Sequence, residues 1–491
     1  MSLNDFFKLE QNNTNFKTEF IAGLTTFLAM SYILGVNPTM LGDAGMPVTG
    51  VFFATAVASG ISCLVMGLVS KYPVGLAPGM GMNALFTYTI VIGMGVSWKA
   101  GLAAVFITSI IFLIITVSGL REAILEAIPV NLKLAIGAGI GFFLAFIGLK
   151  GAGIIVYDAA TIVALGDLLA APALLAMIGI LLTLFLYVKK VPAAVFVGLI
   201  VTAVIGLIFT LIGFGANPVA ATLMPQVPTQ IISTSFDVSL FGGFIDGFGE
   251  LFATPITNLV LVLFSLLFVM FFDTTGTLIP LAKQCGFMDE EGNAEGIDGA
   301  FLGDALSGII GAIFGTSTLT AYVESATGIG LGGKTGLTAI FVGIFFLLSA
   351  LFAPFVLAIF TSAVTCAALV VVGILMMAQL KDVIWEDFYG VAPVFMTIIM
   401  MLLTYSISLG IAWGFITYAV VEIAQASKVK ALGFDGSWYS YSDYSALKSL
   451  TEGVELVSVD FSGIRMVKDE EELKLLETAA KISDEALRNL N

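Results

Sequence analysis

The chain is built from apolar stretches of about twenty residues, and short polar loops separate most of them. A stretch of this length is what an α-helix needs to cross the hydrocarbon core of a bilayer. Inside that core the backbone has no water to bond, so each stretch is expected to pair its own backbone as a helix. Fourteen such stretches begin near Phe20, Gly50, Pro73, Trp98, Ile128, Ala171, Val191, Ala253, Asp298, Ser317, Thr335, Ile359, Ala392 and Ser408.

The composition excludes a soluble globule with an ordinary surface. Only 11% of the 491 residues are charged, against about 25% in soluble domains. The net charge of −15 disfavours nucleic acid as a partner, and the absence of histidine removes the commonest metal ligand. Cys63, Cys285 and Cys366 lie far apart in apolar surroundings and are interpreted as small core residues. We predict an all-α polytopic membrane protein without a metal or cofactor.

The lysines and arginines beside the stretches predict the orientation of the chain. Twelve fall on one side, and only Lys99 and Lys150 fall on the other. The twelve are Lys8, Lys17, Lys71, Arg121, Lys133, Lys189, Lys190, Lys283, Lys334, Lys381, Lys428 and Lys430. Since basic loops stay in the cytoplasm, we expect both termini there, an even number of spans, and a location in the cell inner (plasma) membrane.

The longest break between stretches divides the membrane part into two halves of seven. A cytoplasmic N-terminus (1–19) precedes repeat one (20–213), and repeat two covers 250–427. Because seven is odd, the second half must be inverted relative to the first. Within the break, Ser239–Phe252 is interpreted either as an amphipathic interfacial helix or, equally, as a loosely packed periplasmic loop.

The third stretch of each half is unsuited to a continuous helix. Segment three opens with two prolines and three glycines between Tyr72 and Asn83, and segment ten opens with a threonine-rich run after Gly315. A matched pair of interrupted segments points to the binding site of a transporter. We expect two short extended stretches that pair with one another, each followed by a half-helix.

Three acids stand out within the apolar stretches: Asp273, Glu324 and Asp304. A carboxylate at the bilayer centre costs about 2.5–3.5 kcal/mol on insertion scales, so such residues are expected to be functional. Asp273 and Glu324 have no nearby cation, and burial disfavours their ionised form. They are therefore candidates for proton coupling, whereas a structural role and a coupling role stay open for Asp304.

Four motifs give residues 16–427 a resemblance to the AzgA-like purine-base permeases of the nucleobase–ascorbate transporter superfamily. They are Gly23–Tyr32 (GLTTFLAMSY), Ala77–Ala84 (APGMGMNA), Phe272–Leu278 (FDTTGTL), and Gly315–Thr318 (GTST) with Tyr322–Ser325 (YVES). The resemblance implies fourteen spans in a seven-plus-seven inverted repeat. It also implies a mobile core domain and a gate domain of segments five to seven and twelve to fourteen, with a possible homodimer formed through the gate.

The same resemblance implies import of adenine, guanine or hypoxanthine with protons. The substrate-binding residues that it implies are Asn83, Asp273 and Glu324, with Thr26, Thr275, Thr318 and Thr320 as helpers and Thr25 beside them. Asp273 and Glu324 would carry the proton. Many relatives have a second acid one turn before the Asp273 position, where this chain has Met270. The preferred purine stays open, and sodium is a less favoured coupling ion.

The last part of the chain, 428–491, differs in composition from the membrane part. A strand pattern at Val454–Asp460 precedes an amphipathic helical pattern at Lys468–Asn491. Ile464–Leu473 (IRMVKDEEEL) resembles a connector of creatinase-type proline-specific aminopeptidases, which suggests a fused fragment or a regulatory tail.

Two other functions are weighed against a purine:proton symporter. An anion carrier or channel on the same fold, of the sulfate-permease type, is opposed by the acid Glu324 at the expected site. A membrane-bound peptidase is motivated only by the tail, and the chain has neither histidine nor a catalytic domain after that tail.

Overall fold

The computed structural model describes residues 3–120, 128–215, 222–233, 235–288, 294–385, 388–426, 431–434, 448 and 455–458. Packing divides the chain into two units, Met1–Tyr418 and Ala419–Asn491. Three of the basic residues that predict the orientation, Arg121, Lys428 and Lys430, lie outside the described residues, as do the predicted connector and helix at 464–491.

The described elements follow the predicted order of the two halves. The first half contains α1 (Leu3–Phe7), α2 (Phe16–Met30), α3 (Ile33–Asp43), α4 (Val48–Val65), β1 (Leu76–Pro78), α5 (Met80–Ala84), α6 (Trp98–Ser118), α7 (Val130–Gly151), β2 (Ile155–Asp158), β3 (Ile162–Leu165), α8 (Ala171–Val188) and α9 (Ala194–Leu211). The second contains α10 (Gly243–Ala253), α11 (Ile256–Cys285), α12 (Ile297–Phe314), β4 (Leu319–Ala321), α13 (Ser325–Gly330), α14 (Gly336–Ser349), α15 (Ala353–Ile359), α16 (Ser362–Met377), α17 (Phe388–Leu403) and α18 (Ile407–Ala426). Short π and 3₁₀ turns extend α4, α5, α14 and α16.

The protein is a multi-pass membrane protein. Within the described residues, eleven helices are long and apolar enough to cross a membrane, and Met80–Gly93 and Phe388–Leu403 are shorter apolar helices. Together with the interrupted stretch around β4, they match the predicted segments in order. The exact number of crossings stays a prediction.

Helix packing separates the predicted core from the predicted gate. In the core, α14 packs against α2 and α4, and α12 packs against α4 and α6. In the gate, α7 packs against α16 and α17, and α8 packs against α9 and α16. The gate helices approach one another closely where α7 crosses α16, because a Cβ built on Gly141 would lie 2.6 Å from the Gly373 carbonyl oxygen. This close approach explains why glycine is needed at the crossing.

α10 spans the end of the long break and the start of the second repeat, and it covers most of Ser239–Phe252, the segment for which the sequence allowed either a helix or a loop. α10 packs one face against α6, where the rings of Phe244 and Phe106 stack at 4.3 Å. Its other side leaves Ile245 and Phe252 exposed. The helix is confirmed, and its position at the membrane interface stays a prediction.

Each half supplies a cap to a helix of the other half. Glu19 of α2 is buried and accepts hydrogen bonds from the backbone N–H groups of Lys334 (3.0 Å) and Thr338 (3.1 Å), at the start of α14. In the same way, Glu250 of α10 accepts from the Ser97 backbone N–H at 2.7 Å and from the Ser97 hydroxyl, at the start of α6. These two bonds lower the pKa of Glu250. The carboxylates satisfy N–H groups that a helix start leaves unpaired.

Strands outside the interrupted segments were only partly predicted. β2 and β3 form an antiparallel hairpin between α7 and α8. No strand is predicted there from the sequence, although the stretch is rich in β-branched residues. In the second unit, β5 (Ala431–Phe434) pairs in parallel with β6 (Glu455–Ser458). The latter lies within the predicted strand and confirms it.

Candidate functional site

The two interrupted segments meet as a two-stranded antiparallel ribbon, as the sequence predicts. The paired residues are Leu76 with Ala321, Ala77 with Thr320, and Pro78 with Leu319. Beyond the strands, the Gly79 N–H donates to the Thr318 carbonyl at 3.0 Å. At the other end, the Tyr322 N–H donates to the Gly75 carbonyl at 3.0 Å. The ribbon therefore joins the two halves. It also pairs backbone N–H and C=O groups that have no intrahelical partner where the two segments are extended.

Side chains from the second segment of each half satisfy the outer edges of this ribbon. On β1, the Leu76 N–H donates to Cys63 Sγ at 3.1 Å, and the thiol donates back to the Leu76 carbonyl at 3.3 Å. On β4, the Ala321 N–H donates to Asp304 Oδ1 at 2.7 Å. The Ser307 hydroxyl donates to a β4 carbonyl at 3.0 Å. The predicted packing role of Cys63 thus includes a specific polar contact.

Asp304 has a structural position. Its Oδ2 accepts a 2.6 Å hydrogen bond from the Thr274 hydroxyl of α11, and the side chain is buried. The carboxylate therefore ties β4 to α11 behind the ribbon. These contacts favour the structural alternative that the sequence left open.

A cavity of about 1300 Å³ lies between the ribbon and the gate helices. Four of the sequence-predicted site residues line it: Asp273, Thr275, Thr320 and Glu324. Its gate-side wall includes the apolar residues Ile136, Ile140 and Met376. A mostly apolar cavity with a few convergent polar groups is the usual form of a small-molecule site.

The two carboxylates enter the cavity from different elements of the second half. Asp273 lies on α11, and its Oδ2 is close to Gly79 at the start of α5. Glu324 immediately precedes α13, and its Oε1 accepts a 2.7 Å hydrogen bond from the Tyr32 hydroxyl. Within the described ranges, no group of three or more Cys, Asp or Glu side chains is arranged to hold a metal ion.

Three predicted site residues are absent from the lining of this cavity. Asn83 is fully buried and its Oδ1 accepts a hydrogen bond from Ser317, so it links segment three to the start of segment ten. Thr318 is buried in the same region. Thr26 is buried where α2 meets Gly328 of α13. The helper Thr25 donates to the Ile21 carbonyl on its own helix.

The cavity is also lined by residues that the sequence does not predict as site residues. Tyr32 ends the Gly23–Tyr32 motif and Tyr322 begins the Tyr322–Ser325 motif, and both line the cavity although neither is among the predicted site residues. Lys133, Lys190 and Gln379 line the gate side. In the sequence, the two lysines contribute only to the distribution of basic residues, which predicts the orientation of the chain and not a position in a cavity.

A second, smaller cavity of about 140 Å³ lies at the other end of the core–gate boundary. There the Tyr88 hydroxyl donates to Asp43 Oδ2 at 2.7 Å, and Lys150 Nζ lies 4.6 Å from the centre of the Tyr405 ring. The Tyr88 and Tyr405 rings meet edge to face at 5.3 Å. The core and the gate therefore contact one another at this end through the Tyr88 and Tyr405 rings.

Comparison with known proteins agrees with the motifs. Residues 17–413 match the family model described as Permease family (Xan_ur_permease). The chain is 43% identical over 434 residues to the guanine/hypoxanthine permease PbuG of Bacillus subtilis, covering 86% of this chain and 94% of that protein. It is 38% identical over 422 residues to the adenine permease AdeQ of Escherichia coli, covering 86% and 91%.

The fold is also present among solved structures. The transmembrane domain of the cyanobacterium bicarbonate transporter BicA aligns with a TM-score of 0.56 at 14% identity, covering 84% of this chain and 97% of that chain. At this identity the likeness concerns the fold alone. It agrees with the inverted-repeat architecture built from the two interrupted segments.

Proposed function

The chain belongs to the permease family whose model matches residues 17–413, and we propose that this transporter imports purine nucleobases by proton symport. The observation that carries the proposal is one cavity that holds Asp273 and Glu324 beside the ribbon of the two interrupted segments. Relatives named guanine/hypoxanthine and adenine permeases cover most of the chain and support the substrate class.

The chemistry of the cavity suits a flat base with N–H groups at its edge. An ionised carboxylate accepts hydrogen bonds and a protonated one can also donate, so two acids can read both donors and acceptors of a purine. The aromatic side chains of Phe272 and Tyr322 line the same cavity. Rings of this kind offer apolar contact to a planar ligand.

Proton coupling is assigned to the same two acids. The chain has no histidine, and the position one turn before Asp273 is occupied by the buried Met270. A symported proton therefore has Asp273 or Glu324 as its acceptor in this cavity. Protonation would alter the hydrogen bonds that the carboxylate offers to the base, which links proton binding to substrate binding.

The cavity is proposed to open to the cytoplasm. Lys133 in the first turn of α7 and Lys190 just after α8 line its gate side, and both are among the basic residues that the sequence pattern assigns to the cytoplasm. The cluster around Lys150 would then face outward. This orientation, with both termini in the cytoplasm of a plasma-membrane protein, describes an inward-facing carrier.

Uptake by the purified protein in proteoliposomes tests the proposal. Labelled guanine, hypoxanthine and adenine are expected to accumulate under an inside-alkaline pH gradient, and a protonophore is expected to abolish accumulation. Asp273→Asn and Glu324→Gln are expected to lose accumulation. Exposed acids outside the cavity supply matched controls, Asp167→Asn and Glu10→Gln.

Three outcomes would contradict parts of the proposal. Accumulation driven by a sodium gradient at constant pH would show that sodium is the coupling ion in place of the proton. Uptake of sulfate or bicarbonate in place of purines would favour the anion carrier. Full activity of both site variants would remove the two acids from the mechanism.

A further inference from the structure

Segment one is interrupted at the level of the cavity. α2 ends at Met30 and α3 begins at Ile33, so Ser31 and Tyr32 form a short turn between the two helices. The Ser31 hydroxyl donates to the Leu28 carbonyl at 2.8 Å within this turn. Tyr32 lies in this turn, and its side chain is almost fully buried and forms part of the cavity lining.

Tyr32 bridges the two halves through its hydroxyl. This group donates to Glu324 Oε1 at 2.7 Å, across 292 residues of sequence. The ring of Tyr32 lies 6.3 Å from that of Tyr322. Tyr322 does not duplicate the contact, because its own hydroxyl donates to the Pro78 carbonyl at 2.6 Å.

A neutral donor suits a carboxylate that changes its protonation state. A lysine or arginine at this position would hold the acid in its ionised form through opposite charge. A phenol hydrogen-bonds the ionised carboxylate strongly, and can accept a hydrogen bond when the carboxyl group is protonated. The side chain is thus held in place in both states without being neutralised.

We propose that Tyr32 is a positioning residue that holds Glu324 toward the cavity and sets the pH range over which transport operates. The proposal rests on the proposed function, in which Glu324 takes part in purine and proton binding. Among the residues that the structure describes, the other titratable groups that face this cavity are Asp273 on α11, Tyr322 beside the ribbon, and Lys133, Tyr187 and Lys190 on the gate. None of them is altered in the test below.

Tyr32→Phe removes the hydroxyl and keeps the ring. Hydrogen bonding favours the ionised form of an acid, so its loss makes protonation easier. The pH midpoint of purine uptake is expected to move upward by about one unit, the size expected for one lost charge-assisted bond. The KM for the base is expected to rise about tenfold, with a smaller change in maximal rate. Tyr72→Phe is the matched control, because Tyr72 donates a 2.5 Å bond to the Glu295 carbonyl away from the cavity.

A second substitution keeps the fold even if Tyr32→Phe impairs it. Site-specific 3-fluorotyrosine at position 32 retains the ring and the hydroxyl but is a stronger donor. It is expected to move the midpoint downward. An unchanged midpoint in both variants, or equal effects of Tyr32→Phe and Tyr72→Phe, would overturn the proposal. In a Glu324→Gln background, Tyr32→Phe is expected to cause no further weakening of labelled-purine binding to the purified protein at equilibrium, and an additive weakening would also overturn the proposal.

An infrared titration separates this inference from the proposed function. The carbonyl band of the protonated Glu324 carboxyl, identified by its absence in Glu324→Gln, is followed against pH without substrate. If Tyr32→Phe shifts this titration but the wild type takes up no purine, the proposed substrate is wrong and the positioning role of Tyr32 stands. Purine uptake with an unmoved band would refute the positioning role alone.

Discussion

Gly79 at the start of α5 offers a steric test of the cavity. Its φ of −66° and ψ of 131° are open to any residue, so alanine brings no backbone strain. A Cβ at this position would lie 2.6 Å from Thr320 Cγ2 and 3.0 Å from Asp273 Oδ2. Favourable carbon–carbon contacts lie near 3.5–4.0 Å, so the Thr320 methyl must move by roughly 1 Å. Because Thr320 is held in register opposite Ala77, the displacement falls on side chains of the cavity.

The expected result of Gly79→Ala is a large loss of transport with a modest loss of stability. A misplacement of about 1 Å can cost on the order of 100-fold in rate, whereas overpacking costs about 1–3 kcal/mol of folding free energy. Initial uptake rates in proteoliposomes and thermal unfolding in detergent measure the two effects. The control is Gly249→Ala on α10, where a Cβ meets nothing within 4 Å. Uptake within twofold of wild type, or a loss fully explained by less folded protein, would refute the reasoning.

Two further predictions concern buried and capping acids. Asp304→Ala leaves the Thr274 hydroxyl and a β4 N–H unpaired, which costs about 1–3 kcal/mol of folding free energy for each group. The thermal unfolding temperature of this variant should therefore fall well below that of the exposed-site variant Asp298→Ala. Equal unfolding temperatures would contradict the structural role of Asp304. The bonds from Ser97 lower the pKa of Glu250, so its cap stabilises the fold above the ordinary glutamate pKa and is lost as the pH falls through the lowered folded pKa. Glu250→Gln should therefore remove this acid-side loss in pH-dependent unfolding, and an unchanged profile would contradict it.

The sequence predicts most of the fold because its signals are local. Pro78 and the threonines after Gly315 break helical pairing in the corresponding segment of each half, and the ribbon forms at those positions. The acids Asp273 and Glu324 stand out because a charged side chain is rare in an apolar stretch. These local signals can be recognised in the sequence without knowledge of the tertiary structure.

The remainder of the site depends on contacts between residues far apart in sequence. Tyr32 lies in an apolar run without glycine or proline at the break, so neither its turn nor its bond to Glu324 has a local signal. Asn83 and Asp304 are polar residues in broken or apolar segments, and the residues that line the cavity share this feature. Only their partners, Ser317 for the first and a β4 N–H for the second, distinguish them from lining residues.

The ribbon has a consequence for how the chain is made in the membrane. The Gly75 N–H, just before β1, donates to the Ser325 hydroxyl, 250 residues later. At about 5–20 residues per second, the ribosome needs roughly 12–50 s to supply that partner. Until then, the extended part of segment three holds backbone groups that lipid cannot satisfy. The first half should therefore remain beside the insertion machinery, or shielded by it, until segment ten emerges.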